Sequence, residues 1–370
     1  MLNSILIFLF VLSLLVFVHE LGHYLVAKRL GVLVEEFGFG LPPRIFGKKI
    51  GETTYSINLL PFGGFVRLHG ESSDEGIEHP RKAFLNKSKK ARVGIVIAGV
   101  IMNFLLGIVA FAVVYSFSGI PRQTKDIKVV DIASGSPAQT SGFIVGDVIR
   151  KVDKEPVSSI DQFVALIEGK KGKRVNVEIE RNEGGKVSQK KFSLTPRENP
   201  PKDEGPLGVI ITQTELYFPP YWQRPFVGIY YGFNEALVWG GRVVQGFVIM
   251  FKDLASGVAP KDLAGPVGIF AITSEAAKSG IMELITFIGI LSVNLAILNI
   301  IPFPALDGGR LVFIAIEGFI GKKILPKVEA TIHTIGMIIL LILLLAITAR
   351  DAQRLIKAGS VSKFVESVLK

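Results

Sequence analysis

An uncharged run, Ser4 to Val18 (SILIFLFVLSLLVFV), leads without interruption into His19-Glu20-Leu21-Gly22-His23 and on through apolar residues to Ala27. A stretch this long and apolar is a membrane-spanning helix by length and composition. Inside such a helix an ionisable side chain is expensive, so three polar groups there are a functional signal by default. Helical geometry puts His19 and His23 one turn apart on one face. That is the spacing at which two imidazoles hold one zinc ion, and it leaves Glu20 beside them as a general base. A chance pattern would have to place all three in a segment that should contain none. A cleaved secretory signal would need a basic start and a small-residue cleavage site, and neither stands between Met1 and Lys28.

Composition bounds the rest. The 370 residues are 49% hydrophobic and 20% charged, which suits a membrane domain with one soluble domain attached. With no cysteine in the chain, disulfides are excluded and a metal has only nitrogen and oxygen ligands to use. The net charge of +10 raises the question of nucleic acid. The excess sits beside hydrophobic segments, however, and no basic, aromatic-interleaved module accompanies it. The lipid bilayer is the expected neighbour of those charges, and no nucleic-acid partner is expected.

Between Lys28 and Arg92 the chain carries twelve Lys and Arg residues, so the positive-inside rule makes the loop 28–92 cytoplasmic and the N-terminus external. Within it, Thr53–Leu59 and Phe65–Leu68 predict short strands around a turn at Pro61-Phe62-Gly63-Gly64. Such a hairpin is either a small structural element or an edge on which an extended substrate pairs. Residues 93–117 are a second uncharged span, with Asn103 as the one strongly polar side chain. Asn103 either braces the metal site or bonds another helix, and Gly94, Gly99 and Gly107 offer close helix contacts.

From 123 to 213 the composition is that of a soluble α+β module. Ile127–Ile132, the segment after Gly146-Asp147, Arg174–Ile179 and Val187–Leu194 predict strands. A helix fits Ile160–Glu168, with Ser159 and Gln162 at capping-box spacing and Gly169 as its stop. Lying after the second span, the module is expected outside. Phe226–Leu254 is hydrophobic, but Glu235, Arg242 and Asp253 share a face, which predicts an amphipathic helix on the membrane surface.

A third span begins near Ile281 and ends in Ile301-Pro302-Phe303-Pro304-Ala305-Leu306-Asp307-Gly308-Gly309-Arg310, a run that cannot continue a regular helix. Broken backbone at membrane depth lines a cavity or is buried in protein, so Asp307 is the natural third zinc ligand. Two histidines and a carboxylate leave a fourth position open, as a catalytic zinc requires. The competing reading pairs Asp307 with Arg310 or makes it a cap for Leu311–Ile320. Glu283 and Glu317, near helix ends, are poorer candidates. Residues 331–348 form a fourth span, and the tail, 350–370, reads as a surface helix placed outside with the N-terminus. His333 reads as an interfacial side chain, and His69 and His79 as solvated.

Two resemblances extend this reading. Ser136-Pro137-Ala138, Ser141-Gly142-Phe143 and Val145-Gly146-Asp147-Val148-Ile149 resemble a PDZ domain of the bacterial protease type. That implies a groove taking a peptide or a substrate C-terminus by strand addition, lined by Leu207-Gly208-Val209 if that is its carboxylate-binding loop. Over nearly the whole chain, His19-Glu20-Leu21-Gly22-His23, Pro61 to Val66, Ala98-Gly99 through Asn103, Gly265-Pro266-Val267-Gly268 and Asn299 to Gly309 resemble the site-2 protease family, in its bacterial regulator-of-sigma-E branch. The resemblance implies an intramembrane zinc metalloprotease with one Zn²⁺ held by His19, His23 and Asp307, Glu20 as catalytic acid/base, and Asn294 and Asn299 contacting substrate. It implies as partners single-span membrane proteins, such as an anti-sigma factor or a remnant signal peptide, and as location the bacterial inner membrane. Val100 stands where the family often has proline, and one PDZ-like module is present where the most similar members have two. Two other classes remain to be weighed: a membrane-anchored PDZ scaffold with a structural metal site, and a metal transporter. The open ligand set beside Glu20 favours hydrolysis over the first. The absence of His-rich loops or paired acids along several spans argues against the second.

The expected fold is a polytopic α-helical membrane protein with four transmembrane helices (about 4–27, 93–117, 281–301 and 331–348) and a membrane-associated β-hairpin, carrying one inserted α+β PDZ-like domain. Its parts are a first membrane portion, 1–122; the PDZ-like domain, 123–213; the amphipathic helix and linker, 214–280; a second membrane portion, 281–349; and the tail, 350–370.

Overall fold

The computed structural model describes residues 2–71, 77–202, 204–257 and 264–369. The chain divides into two compact units, one built from Met1–Ser118 with Pro220–Lys370 and the other from Gly119–Pro219. Among the described residues, four helices of the first unit are long and apolar enough to cross a membrane: α1 (Leu2–Arg29), α2 (Lys89–Ser118), α7 (Ile281–Ile300) and α9 (Pro326–Ala358). Val11 and Leu15 of α1 pack on Ile288 of α7, and Ala27 of α1 meets Ile95 and Val96 of α2.

Between α1 and α2 lie β1 (Val34–Ile50) and β2 (Thr53–Leu68), paired antiparallel. Their turn is at Gly51-Glu52, where Gly51 takes φ +63°, and not at Pro61–Gly64. The long β1 was hidden in the sequence by its glycines and Pro42-Pro43, which read as loop. The pairing folds back on itself. Phe37 is aligned with Tyr55 and with Val66, and Phe39 with Ile57 and with Gly64. Residues 36–39 thus lie between 54–57 and 64–67, which leaves 64–68 as an edge.

Helix α5 (Arg224–Ala255) departs from the surface helix expected at 226–254. Its buried face is Gly228, Gly232, Ala236 and Gly240. A Cβ on Gly232 would stand 2.6 Å from the Ala112 nitrogen and 2.7 Å from the Ile108 carbonyl oxygen, so α5 lies backbone to backbone along α2 through a small-residue stripe. Glu235, assigned from sequence to an open polar stripe, accepts the Tyr115 hydroxyl at 2.8 Å. The tail differs too. Helix α9 continues to Ala358, and its Asp351 is buried and accepts the N–H groups of Gly265 (2.7 Å) and Gly268 (3.1 Å). That carboxylate sits at the N-terminus of α6 (Pro266–Ser279), where orphan donors and the helix dipole favour an anion. Phe364 and Val365 of α10 (Val361–Leu369) then bury against Ala271 of α6.

The second unit is a six-stranded sheet in the order β7 (Lys186–Leu194), β6 (Val175–Glu183), β4 (Val148–Val152), β3 (Ile120–Ile132), β8 (Val209–Tyr217), with β5 (Glu155–Pro156) against β4. It is wider than 123–213 because β3 starts at Ile120 and β8 ends at Tyr217. Ile127, Val129, Ile149, Val177 and Ile179 form its core with Phe163 and Ile167 of α4 (Ile160–Glu168). Ser159 caps α4 by accepting the Gln162 N–H at 3.1 Å. Ser136 does the same for Gln139 at the short α3 (Pro137–Thr140), and Gly142 and Gly146 take φ of +91° and +100°. Asp147 is fully buried and held by Arg181 through two 2.8 Å bonds. Leu207 is a core residue and not a groove surface.

Removing one partner of a buried ion pair strands the other, at about 3–5 kcal/mol. Arg181→Met is therefore expected to unfold residues 119–219 selectively, read as lost amide protection there with the membrane helices unchanged. Wild-type protection in that unit would show that Asp147 does not need its guanidinium.

Candidate metal centre

Two elements of the first unit, α1 and the helix that follows the break after α7, bring three side chains of metal-binding type together. His19 and His23 lie on α1, both buried, and Asp307 is the first residue of α8 (Asp307–Ile320). The two Nε2 atoms are 3.1 Å apart, and Asp307 Oδ2 is 3.1 Å from one and 3.2 Å from the other. Tetrahedral zinc with bonds of about 2.0–2.1 Å separates its ligands by about 3.3 Å, so this nearly equilateral triangle has the dimensions of a ligand face. Asp307 Oδ2 is moreover buried with no hydrogen-bond partner, which is unfavourable for a carboxylate unless a cation occupies the centre. The donor set fits a divalent metal. It is the one such group of three among the described residues.

Each histidine is held from behind by α2. His23 Nδ1 donates to the Ile95 carbonyl at 2.8 Å, which turns its Nε2 lone pair inward. His19 Nδ1 faces the Asn103 amide at 3.3 Å, and Asn103 Oδ1 is buried without a partner. Turning that amide over lets Oδ1 accept from Nδ1–H and satisfies both groups; of the two roles open to Asn103, the geometry gives it the one at the metal site. Two glycines let the helices approach this closely. A Cβ on Gly22 would lie 2.4 Å from the Ala98 carbonyl oxygen, and one on Gly99 would lie 2.5 Å from His23 Nε2. In the break before α8, a Cβ on Gly308 would strike the Ile301 carbonyl at 2.1 Å and one on Gly309 the Phe303 carbonyl at 2.6 Å. The Asp-Gly-Gly order thus lets the first turn of α8 lie on the bent backbone before it.

The competing roles for Asp307 are not realised. Arg310 pairs with Glu71 instead, and the N-cap position of α8 is Leu306, with no side-chain cap. Glu317 is buried in an ion pair with Arg92.

A cavity of about 290 Å³ opens on the triad, lined among others by Glu20, Val66, Glu71, Asn299 and Arg310. Glu20 Oε2 accepts the Val66 N–H at 3.0 Å, and Glu71 Oε2 accepts the Leu68 N–H at 3.3 Å. The outward donors of the 64–68 edge therefore point at the cavity. Asn299 is 3.5 Å from the His19 ring nitrogens, whereas Asn294 does not line the cavity and keeps a buried, unpartnered Oδ1. Sequence reading missed the Ile95 carbonyl and Glu71 and gave Arg310 only as a possible partner of Asp307; backbone acceptors carry no sequence signal, and Glu71 is far from the other cavity residues in the chain. His69, expected to be solvated, is buried and bonds Glu35 at 2.6 Å, because β1 covers it.

Apolar helices that carry a histidine pair, a converging aspartate and an adjacent glutamate define a membrane metallopeptidase centre. The sequence profile of peptidase family M50 matches residues 7–343; the chain belongs to this family, the site-2 proteases. A candidate zinc metalloprotease of Clostridium perfringens is 36% identical over 341 residues, spanning 92% of this chain and 95% of that protein. The zinc metalloprotease RasP of Geobacillus kaustophilus is 30% identical across 95% of this chain and 98% of its own, and that of Oceanobacillus iheyensis is 27% identical across 95% and 99%. The protein is a zinc metalloprotease of the membrane.

Gly99→Ala would put a methyl group into His23 Nε2. The expected outcome is a helical protein that purifies with well under one zinc per chain by elemental analysis. Full zinc occupancy would mean that α2 can retreat without disturbing the two histidines.

Proposed function

We propose that His19, His23 and Asp307 hold the zinc and that Glu20 is the acid/base of a protease cutting peptide bonds within or next to the transmembrane segments of single-span proteins. The observation that carries this reading is the shared cavity: Glu20, the triad and the 64–68 strand edge all face it. Zinc, when bound, supplies an acidified water and polarises the scissile carbonyl. Glu20 accepts a proton from the attacking water at its carboxylate and returns it to the departing amine nitrogen. A helical substrate keeps its carbonyls hydrogen-bonded internally, so it must be unwound first. The N–H groups of Val66 and Leu68 offer an edge on which the extended segment pairs. Asn299 is placed to hold substrate near the ligands, and Asn294 would act from further back.

The same reading sets the protein in a bacterial cytoplasmic membrane, with loop 28–92 inside, supported by its excess of basic residues, and with both termini and the 119–219 unit outside. That unit would be PDZ-like and admit substrates by size or by binding a peptide along β8, the last strand of its sheet order.

Glu20→Gln keeps the shape of the side chain and removes the base. It is expected to retain one zinc per chain while cleavage of a truncated single-span substrate falls by at least about 10²-fold; zinc-dependent cleavage near the wild-type rate would end the assignment. Asp307→Asn is expected to lower zinc content as well as activity, since a neutral amide replaces an anionic ligand.

A further inference from the structure

The geometry points to His333 as a positioning residue for the metal: its ring holds the backbone that delivers Asp307. This inference rests on Asp307 being a zinc ligand and goes beyond it. Ala305 has φ +78°, a left-handed conformation that is unfavourable for a residue with a Cβ. Such a residue persists there only if its surroundings enforce it. The enforcing contact is on α9. The Ala305 N–H donates to His333 Nδ1 at 2.9 Å. One turn later on α9, a Cβ on Gly336 would lie 2.4 Å from Pro304 Cβ and 2.7 Å from the Pro304 carbonyl oxygen. His333 and Gly336 thus grip two consecutive residues of the break from one helix face. Ala305 lines the catalytic cavity and is followed, after Leu306, by Asp307.

The neighbouring donors of this loop take backbone acceptors, Phe303 N–H the Ile301 carbonyl, Leu306 N–H that of Phe303 and Gly309 N–H that of Leu306, whereas the Ala305 N–H goes to the imidazole. A backbone donor left unpaired inside the protein is unfavourable. Losing the imidazole acceptor therefore removes what holds Ala305 in its strained state. The loop then relaxes toward negative φ and turns Asp307 away from His19 and His23. The imidazole must present a bare Nδ1, so its proton sits on Nε2, which is buried without a hydrogen-bond partner, 3.9 Å from Glu329 Oε1. The ring face packs on Phe313 with centroids 5.5 Å apart.

The test compares His333→Phe, which keeps an aromatic ring beside Phe313 but has no acceptor, with His333→Asn, which restores one. Both are made in the full-length detergent-purified zinc protein. Zinc release to excess chelator, kcat and KM on a truncated single-span substrate, and thermal unfolding are read for each. Loss of an outer-shell partner typically weakens metal binding 10–100-fold. H333F is thus expected to release zinc about 10-fold faster or more and to lose kcat, with KM and unfolding temperature near wild type, while H333N recovers most of both. In the H333F background, Ala305→Gly is expected to recover part of the loss, because glycine occupies φ +78° without help. If Phe at 333 does not accumulate, Leu gives the same comparison with Asn. Wild-type zinc release and kcat in H333F, or equal impairment in H333F and H333N with no recovery by A305G, would overturn the proposal. D307N separates the two levels: wild-type zinc in D307N removes the ligand assignment, whereas zinc lost in D307N but kept in H333F removes only the role of His333.

Discussion

Close contact between α1 and α2 is the condition on which the rest of the first unit depends. Lipid offers helices no hydrophobic reason to associate, so they hold together by packing and by polar bonds. Gly22 lets the Ala98 carbonyl reach the surface of α1, and Gly99 lets α2 lie directly against both imidazole rings. The Ile95 carbonyl and Asn103, one turn to either side of Gly99, then address the two Nδ1 atoms. One helix face thus excludes lipid from the histidines and orients them, and it can do so only because the residue between its two polar groups has no side chain.

The irregular segment before α8 poses the opposite problem, because its backbone groups must be satisfied without a helix. Its shape is imposed from outside by fasteners on neighbouring elements. Arg92 and Lys89 at the start of α2 hold the side chain and the carbonyl of Glu317 near the end of α8. Glu71, extending from the sheet, takes Arg310. Buried or half-buried charges here do not add much net stability, since each must first be desolvated. They set where α8 begins, and with it where Asp307 stands.

The histidine pair was legible because a helix turns a spacing of four into a shared face, and Asp307, which converges on it, because a Pro- and Gly-rich break is conspicuous in an apolar span. Its alternatives, Arg310 or a cap, could not be dismissed from sequence, since the residue that diverts Arg310 is Glu71, far away in the chain. The sheet was half legible. Thr53–Leu59 and Phe65–Leu68 carry strand residues, but their partner contains Gly38, Gly40, Pro42 and Pro43, and its pairing is fixed by the register and not by propensity. At Phe226–Leu254 the count of charged residues on one face was sound, yet the opposite face, Gly228 to Gly240, decided the packing. Small residues at every fourth position carry little weight in a hydropathy reading. In the second unit, local signals such as Ser136, Ser159 and the glycines at 142 and 146 were used in place, because caps and left-handed turns are decided by neighbours in sequence.

Under the proposed function, the base and the docking edge compete for one donor. Glu20 Oε2 takes the same Val66 N–H that an added strand would take, and Glu71 takes the next outward one, at Leu68. A peptide that pairs with this edge must displace both carboxylates from the backbone. Glu20 would lose the bond from a neutral donor and become free to accept a proton; Glu71 would keep its cationic partner, Arg310. Placing the base on the strand edge thus couples two events that a protease in lipid has reason to keep together, since water activated before a peptide is seated has nothing to cut.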